Sequence, residues 1–117
     1  MNEPLVIERT ATHGRVVVLR VEGRLDVKTA PLLRSSGAEV AAEGRNLILN
    51  LSGVTFMGSS GLGALLSLHE EFQEQAGEVR IVEPSPAATL VMQLVSLDRL
   101  LGIDPDEASA LKAMQAA

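Results

Sequence analysis

Apolar and polar positions change period several times along this chain, and each change marks an element. Leu5–Thr10 and Arg15–Glu22 read as strands, and Thr12-His13-Gly14 between them predicts a hairpin whose loop is longer than the tightest type. Val27–Glu43 shifts to helical spacing, with Ala30, Leu33, Val40 and Ala41 on one face. Asp26 or Thr29 would cap this helix, Pro31 fits its first turn, and Gly44 stops it. Asn46–Leu51 alternates branched apolar residues with asparagine and predicts a strand. From about Ser60 to Ala76, Leu62, Leu65, Leu66, His69 and Phe72 recur at helical spacing until Gly77 ends the helix. Glu78–Glu83 is the next strand. Ser85-Pro86 pairs an N-cap with a first-turn proline, and Leu90, Val91, Leu94 and Val95 form the expected buried stripe of the helix that follows. Asp104-Pro105-Asp106-Glu107 repeats the device as a capping box, with Ala108 and Leu111 turned inward and Met114–Ala117 fraying. Such alternation of strands and helices implies an α/β layer with crossovers.

The run Phe56-Met57-Gly58-Ser59-Ser60-Gly61-Leu62-Gly63 places two hydroxyls and three glycines where an apolar strand meets an apolar helix. The first N–H groups of that helix lack intrahelical partners and carry positive partial charge. A hydroxyl there can cap the helix, and a phosphoryl group there would be stabilised. Local pattern alone leaves both roles open for Ser59 and Ser60. For Asp26, at the end of the second strand, it favours a capping carboxylate over one that faces a partner.

Composition narrows the chemistry. At 117 residues the chain fits one domain spanning 1–117, which at this size buries roughly 60–70% of its unfolded surface. With 46% hydrophobic residues but two phenylalanines and no Trp or Tyr, the core is aliphatic. The absence of cysteine excludes disulfides, thiol nucleophiles and thiolate metal sites. A formal charge of −5 opposes the counterion release that supports nucleic-acid binding, so a protein partner is expected instead. Met1-Asn2-Glu3-Pro4 lacks the features of a signal peptide and no apolar run approaches a membrane span, so a cytoplasmic protein without membrane insertion is expected.

Known catalytic loops do not fit the glycine-rich run. Gly58-Ser59-Ser60-Gly61-Leu62 misplaces the second glycine of a hydrolase elbow, Gly63 is followed by Ala64-Leu65 where a Walker loop needs lysine, and Leu66 stands at the last glycine of a dinucleotide fingerprint. His13 and His69 have no metal-ligand spacing, and Glu70-Glu71 reads as a solvated helix face. No catalytic residue, metal or cofactor is expected.

Val54-Thr55-Phe56-Met57-Gly58-Ser59-Ser60-Gly61-Leu62-Gly63 resembles the signature of the STAS domain, the module shared by bacterial anti-sigma factor antagonists and the cytoplasmic ends of sulphate transporters. Val21-Glu22-Gly23-Arg24-Leu25-Asp26-Val27-Lys28-Thr29-Ala30 is similar to the family's Gly-Glu-Leu-Asp segment. The resemblance implies a STAS fold, with a mixed sheet of four to five strands packed with about four helices. It also implies partner switching without enzymatic activity. An unphosphorylated antagonist binds an anti-sigma factor with serine kinase activity and frees the sigma factor, phosphorylation reverses this, and a serine phosphatase resets it. The acceptor position falls on Ser59, and the implied contact surface comprises Asp26, Thr29, Gly58, Ser59, Ser60, Gly61 and Leu62. Gly58 departs from the family, which usually carries aspartate there. A second role compatible with the resemblance is a constitutive STAS subunit of a membrane transport assembly, such as a lipid-exporting ABC system.

Overall fold

The computed structural model describes residues 4–115, which form five strands and five helices. In chain order these are β1 (Val6–His13), β2 (Val16–Leu25), α1 (Ala30–Ala42), β3 (Asn46–Met57), α2 (Ser59–Glu74), β4 (Val79–Val82), α3 (Pro86–Leu94), α4 (Leu97–Leu100), β5 (Gly102–Asp104) and α5 (Glu107–Gln115). The sheet keeps sequence order, β1-β2-β3-β4-β5, with β1 antiparallel to β2 and every later pair parallel. Parallel neighbours need crossovers, and the helices supply them. The expected α/β architecture on a mixed sheet is present, with one helix more than anticipated.

Apolar residues cover both faces of the sheet centre. Val17, Leu19, Leu47, Leu49, Leu51 and Ile81 meet Leu33, Val40, Leu65, Leu68, Phe72 and Met92 from the helices on one side. Val16, Val18, Ile48 and Val82 meet Ala110 and Met114 of α5 on the other. Burial on both faces explains the uninterrupted run Val16-Val17-Val18-Leu19. The short α5 leaves the far half of β2 uncovered on its side, and burial there alternates: Arg20, Glu22 and Arg24 look outward while Val21, Gly23 and Leu25 are buried. Buried Asn50 ties α5 to the sheet, donating to Glu107 Oε2 at 2.7 Å and accepting the Ser52 N–H at 3.0 Å.

Several sequence expectations shift at element ends. The hairpin closes through the two residues Gly14-Arg15 because β1 runs on to His13; Gly14 takes the left-handed conformation (φ 61°). β2 and β3 continue past Glu22 and Leu51 to Leu25 and Met57, through a register irregularity where Gly53 lies against Glu22. The left-handed residue after α2 is Ala76 (φ 58°), and the Gly77 N–H donates to the Phe72 carbonyl at 2.7 Å.

The stripe expected at Leu90, Val91, Leu94 and Val95 is not the buried one. Ala88 and Met92 face the core, Val91 is half-buried, and Leu90 and Leu94 are 60% and 75% exposed. The capping box also does not form. Asp104 belongs to β5 and holds Arg80 at 2.6 Å, Glu107 turns to Asn50, and Asp106 takes the Ser109 N–H at 2.7 Å. Ala110 and Met114 are buried in place of exposed Ala108, while Leu111 packs partly inward. The expectations for Met1–Glu3 and for Ala116 and Ala117 lie outside the described residues; Met114 and Gln115 are helical.

Candidate functional site

Leu25 and Met57 pair as the last residues of two adjacent parallel strands, so the segments that follow them emerge side by side at one end of the sheet. One segment is the loop Asp26–Thr29 leading to α1; the other is Gly58 opening α2. The Gly58 N–H donates to the Leu25 carbonyl at 3.0 Å and joins the two exits.

Gly58 is the N-cap of α2, in an extended conformation (φ −99°, ψ −176°) that any residue adopts. Its carbonyl accepts from the N–H groups of Gly61 at 3.0 Å and Leu62 at 3.2 Å. Ser59 and Ser60 therefore occupy the first two helical positions, and no side chain caps the helix. The capping role left open for the serines is filled by neither. Ser59 is exposed and Ser60 half-buried. Gly61 is buried against the end of β2, where a Cβ would lie 3.2 Å from the Cβ, Cδ2 and carbonyl oxygen of Leu25. That contact sets how closely the serine-bearing turn sits on the sheet. Leu62, half-buried one residue on, begins a groove of about 380 Å³ lined by Gly63, Leu66, Val95, Leu97 and Leu100.

Asp26 and Thr29 hold the neighbouring loop. Asp26 Oδ1 accepts from the N–H groups of Lys28 at 3.0 Å and Thr29 at 3.2 Å. The Thr29 hydroxyl accepts from the Asp26 N–H at 2.9 Å and donates to the Arg24 carbonyl at 2.6 Å. Thr29 is the formal N-cap of α1 but makes no side-chain cap bond to it, while the Asp26 carbonyl accepts from Ala30 at 2.9 Å. Partial burial pushes the Asp26 carboxyl up. The donated N–H groups of Lys28 and Thr29, the Thr29 hydroxyl and the nearby Arg24 charge outweigh it and hold the group below the usual carboxylate range. It is ionised at neutral pH. One oxygen is committed to N–H groups of the loop ahead of α1 and not to those of the helix, whose N-cap is Thr29, and Oδ2 faces Arg24 Nε at 3.7 Å.

All seven sequence-predicted residues lie on these two exits or the first turn of α2. Sequence reasoning missed Arg24 and Phe56, which sit opposite each other on β2 and β3 with the guanidinium carbon 4.2 Å from the ring centroid. The missed signal was strand length: with β2 and β3 carried on to Leu25 and Met57, both residues fall on the outward phase beside the turn.

The sequence model of the STAS domain matches residues 9–110. A relative from Paenibacillus polymyxa named anti-sigma F factor antagonist is 26% identical over 105 residues, covering 88% of this chain and 90% of the relative. Among solved structures, an anti-sigma factor antagonist from Mycobacterium paratuberculosis superposes with a TM-score of 0.81 at 30% identity, covering 97% of this chain and 95% of that one. The Bacillus cell fate determinant SpoIIAA in its phosphorylated form superposes with a TM-score of 0.70 at 25% identity, covering 92% and 98%.

Proposed function

The chain belongs to the STAS domain family, and from that premise we propose that it is an anti-sigma factor antagonist that works by partner switching at Ser59. In its unphosphorylated form it binds an anti-sigma factor with serine kinase activity through the Ser59 turn, the Asp26–Thr29 loop and the adjoining face of α2, and the sigma factor is released. Phosphoryl transfer to Ser59 reverses the binding, and a serine phosphatase restores it. The relatives' names and the phosphorylated state of SpoIIAA support this reading.

The observation that carries it is the state of the Ser59 hydroxyl. It is exposed at the first position of α2 and makes no cap bond, so modifying it removes nothing that holds the fold. A phosphoserine adds about −1.5 to −2 charges, and the N-terminal N–H groups and helix dipole accept such charge at little local cost. A partner surface shaped around a neutral hydroxyl would meet a bulky anion instead. Losing about 3 kcal/mol of affinity there weakens binding more than about a hundredfold.

In this reading the chain is a substrate and ligand of its partner rather than a catalyst, as the relatives' names, anti-sigma factor antagonist, support. No helix among the described residues is long and apolar enough to cross a membrane. The proposed setting is the cytoplasm, where kinase, phosphatase and ATP meet. The test is intact-mass and peptide analysis of the protein from its native cells, before and after serine-phosphatase treatment. A reversible phosphate on Ser59 is the expected result. A chain that stays unmodified through growth and stress sinks the switch.

A further inference from the structure

Along the half of β2 that α5 leaves uncovered, Arg24 lies over the ring of its register partner Phe56, the guanidinium carbon 4.2 Å from the ring centroid. A stacked guanidinium keeps its plane and its fork of donors in one orientation. Its charged neighbour among the described residues is Asp26, at 3.7 Å from Nε to Oδ2, beyond hydrogen-bond length. Asp26 Oδ1 is occupied by the N–H groups of Lys28 and Thr29. The terminal N–H groups of Arg24 thus face solvent without an acceptor among the described residues, on a side chain 42% exposed.

Phe56 lies beside the bare Gly58 backbone: a Cβ there would lie 3.3 Å from Phe56 Cε2 and 3.5 Å from Cζ, and the ring edge would give by a few tenths of an ångström. Val27, in the adjoining loop, is 73% exposed. An exposed planar donor fork resting on an aromatic ring, with Asp26 Oδ2 near its Nε at 3.7 Å and no hydrogen bond made, can take a further carboxylate in bidentate geometry.

We propose that Arg24 is a specificity-determining residue that receives an aspartate or glutamate of the protein partner beside the Ser59 turn. This rests on the reading of that turn as the docking site. It also deepens the switch: a partner carboxylate drawn to Arg24 lies close to the acceptor serine, so a phosphate on Ser59 repels a charge already in place. The positively charged contact is contributed by a chain whose formal charge is −5, so overall charge attraction does not account for it.

The probe is a purified kinase-fold anti-sigma factor, encoded in the same genome, that binds the wild-type chain in a two-component titration. Arg24→Glu is expected to weaken binding at least about tenfold, with the difference shrinking as salt is raised. Arg24→Lys, which keeps the charge and loses the planar fork, falls in between. Arg24→Lys melts with the wild type, while Arg24→Glu sets a second carboxylate beside Asp26 and melts lower, so Arg24→Gln, which adds no repulsion, is titrated alongside and is expected to weaken binding as well. Replacing one partner aspartate or glutamate by lysine restores binding to Arg24→Glu. If Arg24→Glu binds like the wild type while Ser59→Asp does not, the turn keeps its role and Arg24 has none. If Arg24→Glu weakens binding but no acidic position on the partner rescues it, the carboxylate assignment is wrong. If the wild-type chain binds no such anti-sigma factor, the docking reading fails and this inference falls with it.

Discussion

Gly61 and Gly63 stand two residues apart on α2, yet replacing each by alanine should move stability in opposite directions. Alanine is favoured over glycine in a helix by about 1 kcal/mol, and a Cβ at Gly63 meets nothing within 4 Å. Gly63→Ala should therefore stabilise by up to about 1 kcal/mol. At Gly61 the same gain is opposed, because the new methyl would sit 3.2 Å from three Leu25 atoms, one of them the carbonyl oxygen that accepts the Gly58 N–H. Backbone cannot rotate away as a side chain can. Overpacking costs about 1–3 kcal/mol, and a weakened Gly58–Leu25 bond adds about 0.5–1.5 kcal/mol. Gly61→Ala should thus lose about 0.5–3.5 kcal/mol net. In urea, 1 kcal/mol moves the midpoint by roughly 0.5 M, so the two midpoints should lie on opposite sides of the wild type with unchanged slopes. Midpoints shifted in the same direction would refute the claim that Gly61 seats the serine turn on β2.

Ser59→Ala should leave the urea midpoint within error of the wild type, because the hydroxyl caps nothing; a loss of about 1 kcal/mol would reveal a cap. The same variant should bind the partner and resist phosphorylation, read by intact mass after incubation with kinase and ATP. Gly58→Asp should stabilise α2 by a few tenths of a kcal/mol at neutral pH through a new N-cap. The new Cβ should also shift the edge of the Phe56 ring by a few tenths of an ångström, visible as a change in the Phe56 ring resonances. Asp106 is held below the usual carboxylate range by the Ser109 N–H and hydroxyl, so its contribution is full above the unfolded value and disappears as pH falls through the folded one. Asp106→Ala should accordingly lower the melting temperature at pH 7, with a loss that shrinks as pH falls through the folded value. A penalty that persists in acid would mean the carboxylate is not the cap.

The sheet-forming runs and the first two helices were legible because their apolar periods are long and strongly burial-driven. Val16–Leu19 and Asn46–Leu51 are buried strands as expected, and Leu33, Val40, Leu65 and Phe72 face the core. Strand ends were less legible. The strand expected to end at Leu51 runs on to Met57, because Gly53 accommodates Glu22 in an irregular ladder and pairing resumes beyond it. That error hid Arg24 and Phe56, which read as loop residues when the strands stop early. In α3 the largest residues were assigned inward, whereas Ala88 and Met92, four apart, make the inward line and leave Leu90 and Leu94 in solvent. Leu97–Leu100 and Gly102–Asp104 are too short to show any period, so α4 and β5 left no mark in the pattern. The serine turn stood out through composition, but its cap did not: a glycine at the capping position leaves both hydroxyls without that task.

The most direct test of the switch is a calorimetric titration of the anti-sigma factor with the unmodified protein and with the same protein phosphorylated on Ser59, alongside a thermal melt of each. The account predicts binding weakened more than about a hundredfold by the phosphate, with melting temperatures that coincide. Equal affinity of the two forms would contradict it, and so would weaker binding accompanied by a collapse in melting temperature, which would make the phosphate an unfolding lesion in place of a surface switch.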